Sequence, residues 1–376
     1  MTTIVIGGDV CPTGRIQKTF IEGNADGIFH DLLVEIVSAD LSIVNLECPL
    51  VSQETPIEKA GGFVLGASVD AINGFIASKW TILNIANNHS FDHGAQGLLE
   101  TIRTIQKPGL ACIGAGSDIE EARQPFIKEI KGERIVVYAM AEREYSIADE
   151  RTAGANPLDI INFVNVIRQY KKDGIFIALI HGGKEFYSYP SPELVRKCRF
   201  IVDMGADAVI CCHTHCPLPW EIYAGRPIIY GLGNLIFEPL RQPPNSWYEG
   251  YLAKLIFQNG QVGLDVIPYI QSQTLPGAQK MDKTLSKKFI EELGRKSDQL
   301  KDALFLETQW EKYCGQLKES YLDVLLGDNY FMRRARRFLH KRLYSKKRIH
   351  QALLLVQCET HQEILNTIFR DERRER

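Results

Sequence analysis

The sequence predicts an α/β fold, and three observations lead there. Up to about residue 270, short β-rich runs alternate with longer segments of helical periodicity. Most of the runs are continuously apolar, as in strands covered on both faces. Past about residue 275 the strand signal stops and the chain reads as helix.

The first strand, Thr3–Ile6, opens the chain. Leu41–Asn45, Thr81–Ile85, Ile135–Ala139, Ile175–Ile180, Ala208–Ile210 and Ile228–Tyr230 follow, each dominated by β-branched or other apolar residues. Gly94–Gln106, Leu158–Lys172 and Pro192–Met204 carry helical spacing between them. The last opens with Ser191-Pro192-Glu193, a Ser cap with Pro at the first helical position, where a missing N–H costs nothing. Tyr251–Phe257 and Gln261–Ile267 flank Gln258-Asn259-Gly260, a hairpin signal that adds antiparallel strand. Residues 271–285 are mostly polar and contain Pro276-Gly277, which reads as a linker between a domain of residues 1–270 and a helical region of residues 286–376. Within that region Phe331–His350 reads FMRRARRFLHKRLYSKKRIH, apolar on one helical face and basic elsewhere. Such a helix suits peripheral contact with an anionic membrane or an anionic polymer; packing on the rest of the protein with a solvated basic face is the alternative.

Composition narrows the function classes. The 376 residues include 45% hydrophobic ones, enough to bury a core and to exclude disorder for most of the chain. Lys and Arg number 44 against 46 Asp and Glu, so there is no chain-wide electrostatic footprint for nucleic acid, and any anion binding is local. The N-terminus runs directly into a strand without a basic leader, and no apolar run reaches the ~18 residues of a membrane span. Nine scattered cysteines are then expected as reduced thiols, and the expected location is cytoplasmic.

Five apolar strands end in polar, metal-competent residues: Gly8-Asp9, Asn45-Leu46-Glu47, Asn87-Asn88-His89, His181-Gly182-Gly183 and His213-Thr214-His215. Loops at the carboxyl ends of strands in an open α/β sheet converge on one crevice. Carboxylates and imidazoles gathered there suit divalent zinc, manganese or iron. Taken singly, Asp9 is an ordinary turn former and His181 an ordinary buried imidazole. The pair His213 and His215, one residue apart after a strand, is harder to assign to structure alone. The surrounding Cys211-Cys212-His213-Thr214-His215-Cys216 also permits a structural zinc site, although such sites usually draw on two separated ligand pairs.

Together and in this order, the motifs resemble the CapA family, poly-γ-glutamate capsule biosynthesis proteins of the calcineurin-like metallophosphoesterase superfamily. The resemblance rests on GGDVCPTGR (7–15), SIVNLECPL (42–50), ILNIANNHSFDHGAQGLLET (82–101), GLACIGAG (109–116), LIHGGKEFYSYPSPE (179–193), GADAVICCHTHC (205–216) and GRPIIYGLGNLIF (225–237). It implies a sandwich of two mixed β-sheets flanked by helices over about residues 3–268, leaving a C-terminal all-helical extension. It also implies metal ligands at Asp9, Glu47, Asn88, His181, His213 and His215, with Glu47 bridging, and a general acid at His89 oriented by Asp92. Two divalent ions (manganese, zinc or iron) about 3.5–4 Å apart would activate a water for attack on phosphorus. The implied function is a metal-dependent hydrolase of capsule, exopolysaccharide or poly-γ-glutamate metabolism, or else a non-catalytic accessory protein binding the same anionic polymer or its phosphorylated precursor.

Three departures stand out. Cys11 occupies the position of a superfamily ligand His, so the first metal site is weak or completed by a thiolate unless Cys11 is simply a buried hydrophobe. Gly182 stands where the family commonly has Trp, and Cys211-Cys212 where it commonly has Gly-His. Near the ligand motifs, Arg15, Lys184 and Glu185 are candidates for contacting or arranging an anionic substrate, with surface ion pairing as the alternative. Asn234 either lines the crevice or occupies a turn.

Overall fold

The computed structural model describes residues 1–59, 62–172, 174–239, 241–326 and 346–374. Two mixed sheets pack face to face. The first contains strands β1 (Thr2–Cys11), β2 (Leu41–Leu46), β3 (Ile82–Asn84) and β4 (Ala111–Ile113), all parallel. The second contains β5 (Phe126–Ile130), β6 (Glu133–Ala141), β7 (Ile175–His181), β8 (Ala208–Cys212), β9 (Trp220–Tyr223) and β10 (Arg226–Ile229), in the order β9-β10-β8-β7-β6-β5. Its four central strands are parallel and its two edges antiparallel. The chain then returns to the first sheet with β11 (Asn234–Phe237), β12 (Glu249–Gln258), β13 (Gln261–Gln271) and β14 (Ala278–Lys280), extending it through β1 as β14-β13-β12-β1-β2-β3-β4.

The continuous apolar runs are explained by this layering, since successive side chains of a strand point to opposite faces. Ile4, Ile6, Ile43 and Ile82 meet Val137, Ile177 and Ile210 between the sheets. Their neighbours Val5, Val44 and Leu83 face the short helical segments that cover the first sheet, together with Phe20, Phe29 and Phe75. Val136, Tyr138 and Ala178 face helices α2 (Ile160–Tyr170) and α3 (Pro192–Asp203) on the outside of the second sheet. Helix α1 (Gly94–Gln106) covers the first sheet.

The C-terminal part begins inside the expected linker. Residues 271–285 are not a linker: they hold β14, paired with β13, and the opening of α4 (Lys283–Gln299), capped by the Asp282 carboxylate. A three-residue edge strand is too short to show an apolar pattern, and its pairing is visible only in three dimensions. Phe289 and Leu293 of α4 reach the inter-sheet core. Helices α5 (Ala303–Leu326), α6 (Lys346–Gln357) and α7 (Glu359–Arg374) enclose a further core of Trp310, Cys314, Leu355 and Ile364, which takes in Tyr187 from the second sheet's side. The expected basic helix falls mainly on residues 331–345, outside the described residues; Lys346–His350 form the start of α6. The nine cysteines are free thiols. Among the described residues no helix is long and apolar enough to cross a membrane.

Candidate metal centre

Both sets of parallel strands end at the same edge of the sandwich, and the polar residues follow. Asp9 lies at a register irregularity of β1, opposite Asn45 on one side and Asn234 on the other. Such a bulge re-aims a side chain, and the close approach depends on Gly8, where a Cβ would lie 1.9 Å from the Gly233 carbonyl oxygen. Glu47 follows β2, the Asn87-Asn88-His89 turn follows β3, His181 ends β7, and His213 and His215 follow β8. His213 and His215 both take the left-handed backbone conformation, φ 99° and 54°, a local strain held by the surrounding structure.

These residues converge. Ligand atoms of Glu47, His181 and His213 lie within 4.8 Å of one another, as do those of Asp9, Glu47 and His215. Glu47 belongs to both groups, is fully buried, and among the described residues neither of its carboxylate oxygens has a hydrogen-bond partner. A buried carboxylate with no partner is costly, and two flanking imidazole sets offer it none: His181 Nε2 stands 3.5 Å and His215 Nε2 3.7 Å from Oε1. Asn88 Oδ1 lies 3.0 Å from His181 Nε2. This set of carboxylate, amide oxygen and imidazole fits a divalent zinc, manganese or iron ion.

Burial dominates the electrostatics. It pushes the Asp9 carboxyl up, against the opposing pull of His215, and pushes Glu47 well above the carboxylate range, with Asp9 adding to the effect. Burial likewise drives His181 well below the usual imidazole range and His213 down to about 3. The His181 and His213 rings are thus neutral near pH 7, the form that coordinates metal. Burial alone would raise Glu185, but attraction to His213 and His215 when these rings are protonated, and to Lys184, outweighs it and brings the carboxyl to about 2.

A second layer of contacts fixes the candidate ligands. The Asn45 amide donates to Asp9 Oδ1 at 2.7 Å and lies 3.3 Å from His181 Nδ1. The His213 backbone N–H donates to Asp9 Oδ2, and Asn234 Oδ1 lies 2.9 Å from His215 Nδ1. Glu144, beyond β6, accepts from Asn88 Nδ2 at 2.8 Å and stands 3.6 Å from His213 Nε2. His89 Nδ1 lies 2.7 Å from Asp92 Oδ2. Asp92 is held in turn by a buried ion pair with Lys59 and by the Leu65 backbone N–H at 2.7 Å.

The centre opens on a cavity of about 480 Å³ lined by Asn88, His89, His213 and His215. Phe186, Phe237 and Trp247 form an apolar wall beside the His215 ring, while Lys184, Glu185 and Arg241 supply charge. Arg15 is not part of this lining. Its guanidinium is spent on Glu238 and on the carbonyls of Ser272 and Thr274, because the short helical turn at residues 14–16 faces the end of β13. The three cysteines around the His-x-His pair also diverge: Cys211 and Cys216 join the outer core of the second sheet and Cys212 the inter-sheet core, so they share no structural zinc site. Cys11 lies in the helix-covered core, its Sγ 3.6 Å from Thr13 Oγ1, and outside both ligand groups.

Sequence reasoning passes over Glu144, Lys59, Trp247 and His361, and names Asn45 only as part of a strand-end cluster. Glu144 carries a readable signal, since Glu142-Arg143-Glu144 is a sixth polar cluster just past an apolar strand. Asn45 stands in the Asn45-Leu46-Glu47 cluster, where Glu47 is the evident ligand candidate. Lys59, Trp247 and His361 arrive from loops and a distant helix, with no local pattern to mark them.

Comparison with known proteins adds the ancestry. Residues 3–239 match the family described as bacterial capsule synthesis protein PGA_cap. The PGA biosynthesis protein CapA of Bacillus subtilis (strain 168) is 27% identical over 297 residues, 77% of each chain. A probable polyglutamine synthesis accessory protein of Mycobacterium tuberculosis (strain H37Rv) is 27% identical over 224 residues, 54% of this chain and 57% of its own. A hypothetical protein of known structure from Thermus thermophilus superposes on 74% of this chain and 99% of its own, with a TM-score of 0.46 and 12% identity.

Proposed function

This chain belongs to the bacterial capsule synthesis protein family PGA_cap, and from that premise we propose that it is a metal-dependent phosphoester hydrolase acting on an anionic surface polymer or its phosphorylated precursor. The observation that carries the reading is Glu47, buried with both oxygens unpartnered and shared between two converging ligand groups. Asp9, Glu47 and His215 would hold one ion, and Glu47, His181, His213 and Asn88 a second. Such ions, when bound, lower the pKa of a coordinated water and offset charge on a phosphoryl group. The protein's own residues do the rest. Asp92 orients the His89 ring toward a proton transfer to the leaving oxygen, and Lys59 pairs with Asp92 and holds it in place. Lys184 and Arg241 attract the anionic substrate, while Glu185 limits how much negative charge is accepted beside His213. The Phe186–Phe237–Trp247 wall excludes water from one side of the reacting group.

The test is elemental analysis of bound metal in the full chain beside His213→Ala, followed by a panel of phosphomonoesters and phosphodiesters. About two ions per chain, lost together with turnover in the variant, is the expected result. Absence of metal and turnover after reconstitution would overturn the reading in favour of a non-catalytic binding protein. That second reading draws on Cys11, which leaves the Asp9 group without a further imidazole, and on the relative named as an accessory protein. A binding protein would retain its polymer when His89 is replaced.

A further inference from the structure

We propose that the seam between the sandwich and the C-terminal helices holds an additional divalent-cation site, formed by Glu144, Cys358 and His361 beside the Glu47-centred group. One ligand atom from each of the three lies within 4.8 Å of the others. Glu144 comes from the loop after β6. Cys358 is the single residue between α6 and α7, and His361 lies in the first turn of α7, three positions on. Helical spacing puts Cys358 and His361 on one side, and the fold brings them to a loop more than 200 residues away in sequence. All three line the same cavity as His89 and His213, so a fourth coordination position faces water or substrate, as at an open zinc site.

The supporting contacts are of the kind that metal ligands carry. The Tyr321 hydroxyl is hydrogen-bonded to His361 Nδ1 and orients the ring. The Cys358 thiol donates to Glu142 Oε2 at 3.7 Å, a hydrogen bond that coordination as thiolate would replace, while Glu142 is held by the Thr360 hydroxyl at 2.7 Å and the Gly183 N–H at 3.3 Å. Glu144 is steadied by the Asn88 amide. One thiolate, one imidazole and one carboxylate suit zinc better than magnesium or calcium, whereas the Glu47-centred group offers only oxygen and nitrogen. Coordination requires the Cys358 thiol to lose its proton to solvent, leaving a thiolate–metal bond. Cys358 and His361 lie beyond residues 3–239, so two of the three ligands come from outside the family-matched segment and only Glu144 from within it.

The difference in ligand chemistry supplies the test. The full chain is loaded with Co²⁺ and its near-ultraviolet spectrum recorded, where thiolate-to-cobalt charge transfer absorbs. Wild type is expected to show the band, Cys358→Ser and His361→Ala to lose it, and His213→Ala to keep it. Zinc content should fall by about one equivalent in Cys358→Ser. No band in wild type, a band that survives Cys358→Ser, or unchanged zinc in that variant would overturn the proposal. If Cys358→Ser does not fold, His361→Ala carries the same expectation. Failure of the phosphoester reading leaves the result untouched, because the Glu47-centred group has no sulfur.

Discussion

His89 takes its orientation from Asp92 and its charge state from burial, and the two act in opposite directions. Burial lowers its pKa from the usual imidazole range, Lys59 adds to that, and Asp92 partly restores it. A general acid works in its protonated form, so the rate should fall as pH rises through this depressed value. Replacing Asp92 by Asn removes the restoring charge and should move that limb of the kcat/KM profile further to the acid side. His89→Ala should lower kcat by about 10²–10⁴-fold with bound metal unchanged by elemental analysis; equal turnover would remove His89 from the chemistry. Gly8 offers a prediction of a purely steric kind. A Cβ there would strike the Gly233 carbonyl, a backbone atom that cannot rotate away. Gly8→Ala should therefore destabilise the protein by roughly 1–3 kcal/mol, read as a lower urea midpoint, and loosen Asp9 along with it.

The C-terminal helices are fastened to the sandwich by polar contacts as well as by the core around Trp310. Glu363 of α7 accepts the Glu193 backbone N–H at 2.8 Å and the Ser191 hydroxyl, so one helix caps the N-terminus of another. Burial raises the Glu363 carboxyl from 4.5 to about 7, despite those hydrogen bonds. Between these values the native protein binds more protons than the unfolded chain, so stability falls as pH rises from about 4.5 to about 7 and levels off above. Glu363→Gln should flatten the dependence of the denaturation midpoint on pH over that interval; an unchanged slope would contradict the assignment. Elements of this length differ in how readable they are. The expected helix Gly94–Gln106 coincides with α1, because a full amphipathic face marks it. Strand β11 has no such mark, since its four residues follow Gly231-Leu232-Gly233 and pair with β1 only through the fold.

At the scale of the molecule, the candidate ligand cluster is an electrostatic burden that bound ions would relieve. Asp9, Glu47, His181, His213 and His215 are all buried, and the carboxyl groups are pushed up by that burial. A ligand that binds only the native state stabilises it by about 4 kcal/mol at a thousand times its Kd. Exhaustive chelation should thus lower the melting temperature, readdition of manganese or zinc should restore it, and His213→Ala should respond less than wild type. Identical melting curves with and without chelator would argue against any tightly held ion. The same scale explains the cavity, whose walls come from both sheets, from Pro239 and residues 241–247, and from α6 and α7.

Apolar periodicity and polar strand-end clusters are local properties, so the α/β class, most strands of both sheets, the three helices between them and the residues at the strand ends are readable in the amino-acid sequence. Asp9, Glu47, Asn88, His89, His181, His213 and His215 are marked in this way as polar strand-end residues, and the fold brings them to one edge of the sandwich. That Arg15 turns away to Glu238, that Cys11 enters the core, and that Glu144 meets Cys358 and His361 emerge only in three dimensions. Those outcomes depend on which surfaces meet after the chain closes on itself. A side chain's partner across 200 residues is set by packing of whole layers, and no window of sequence contains it.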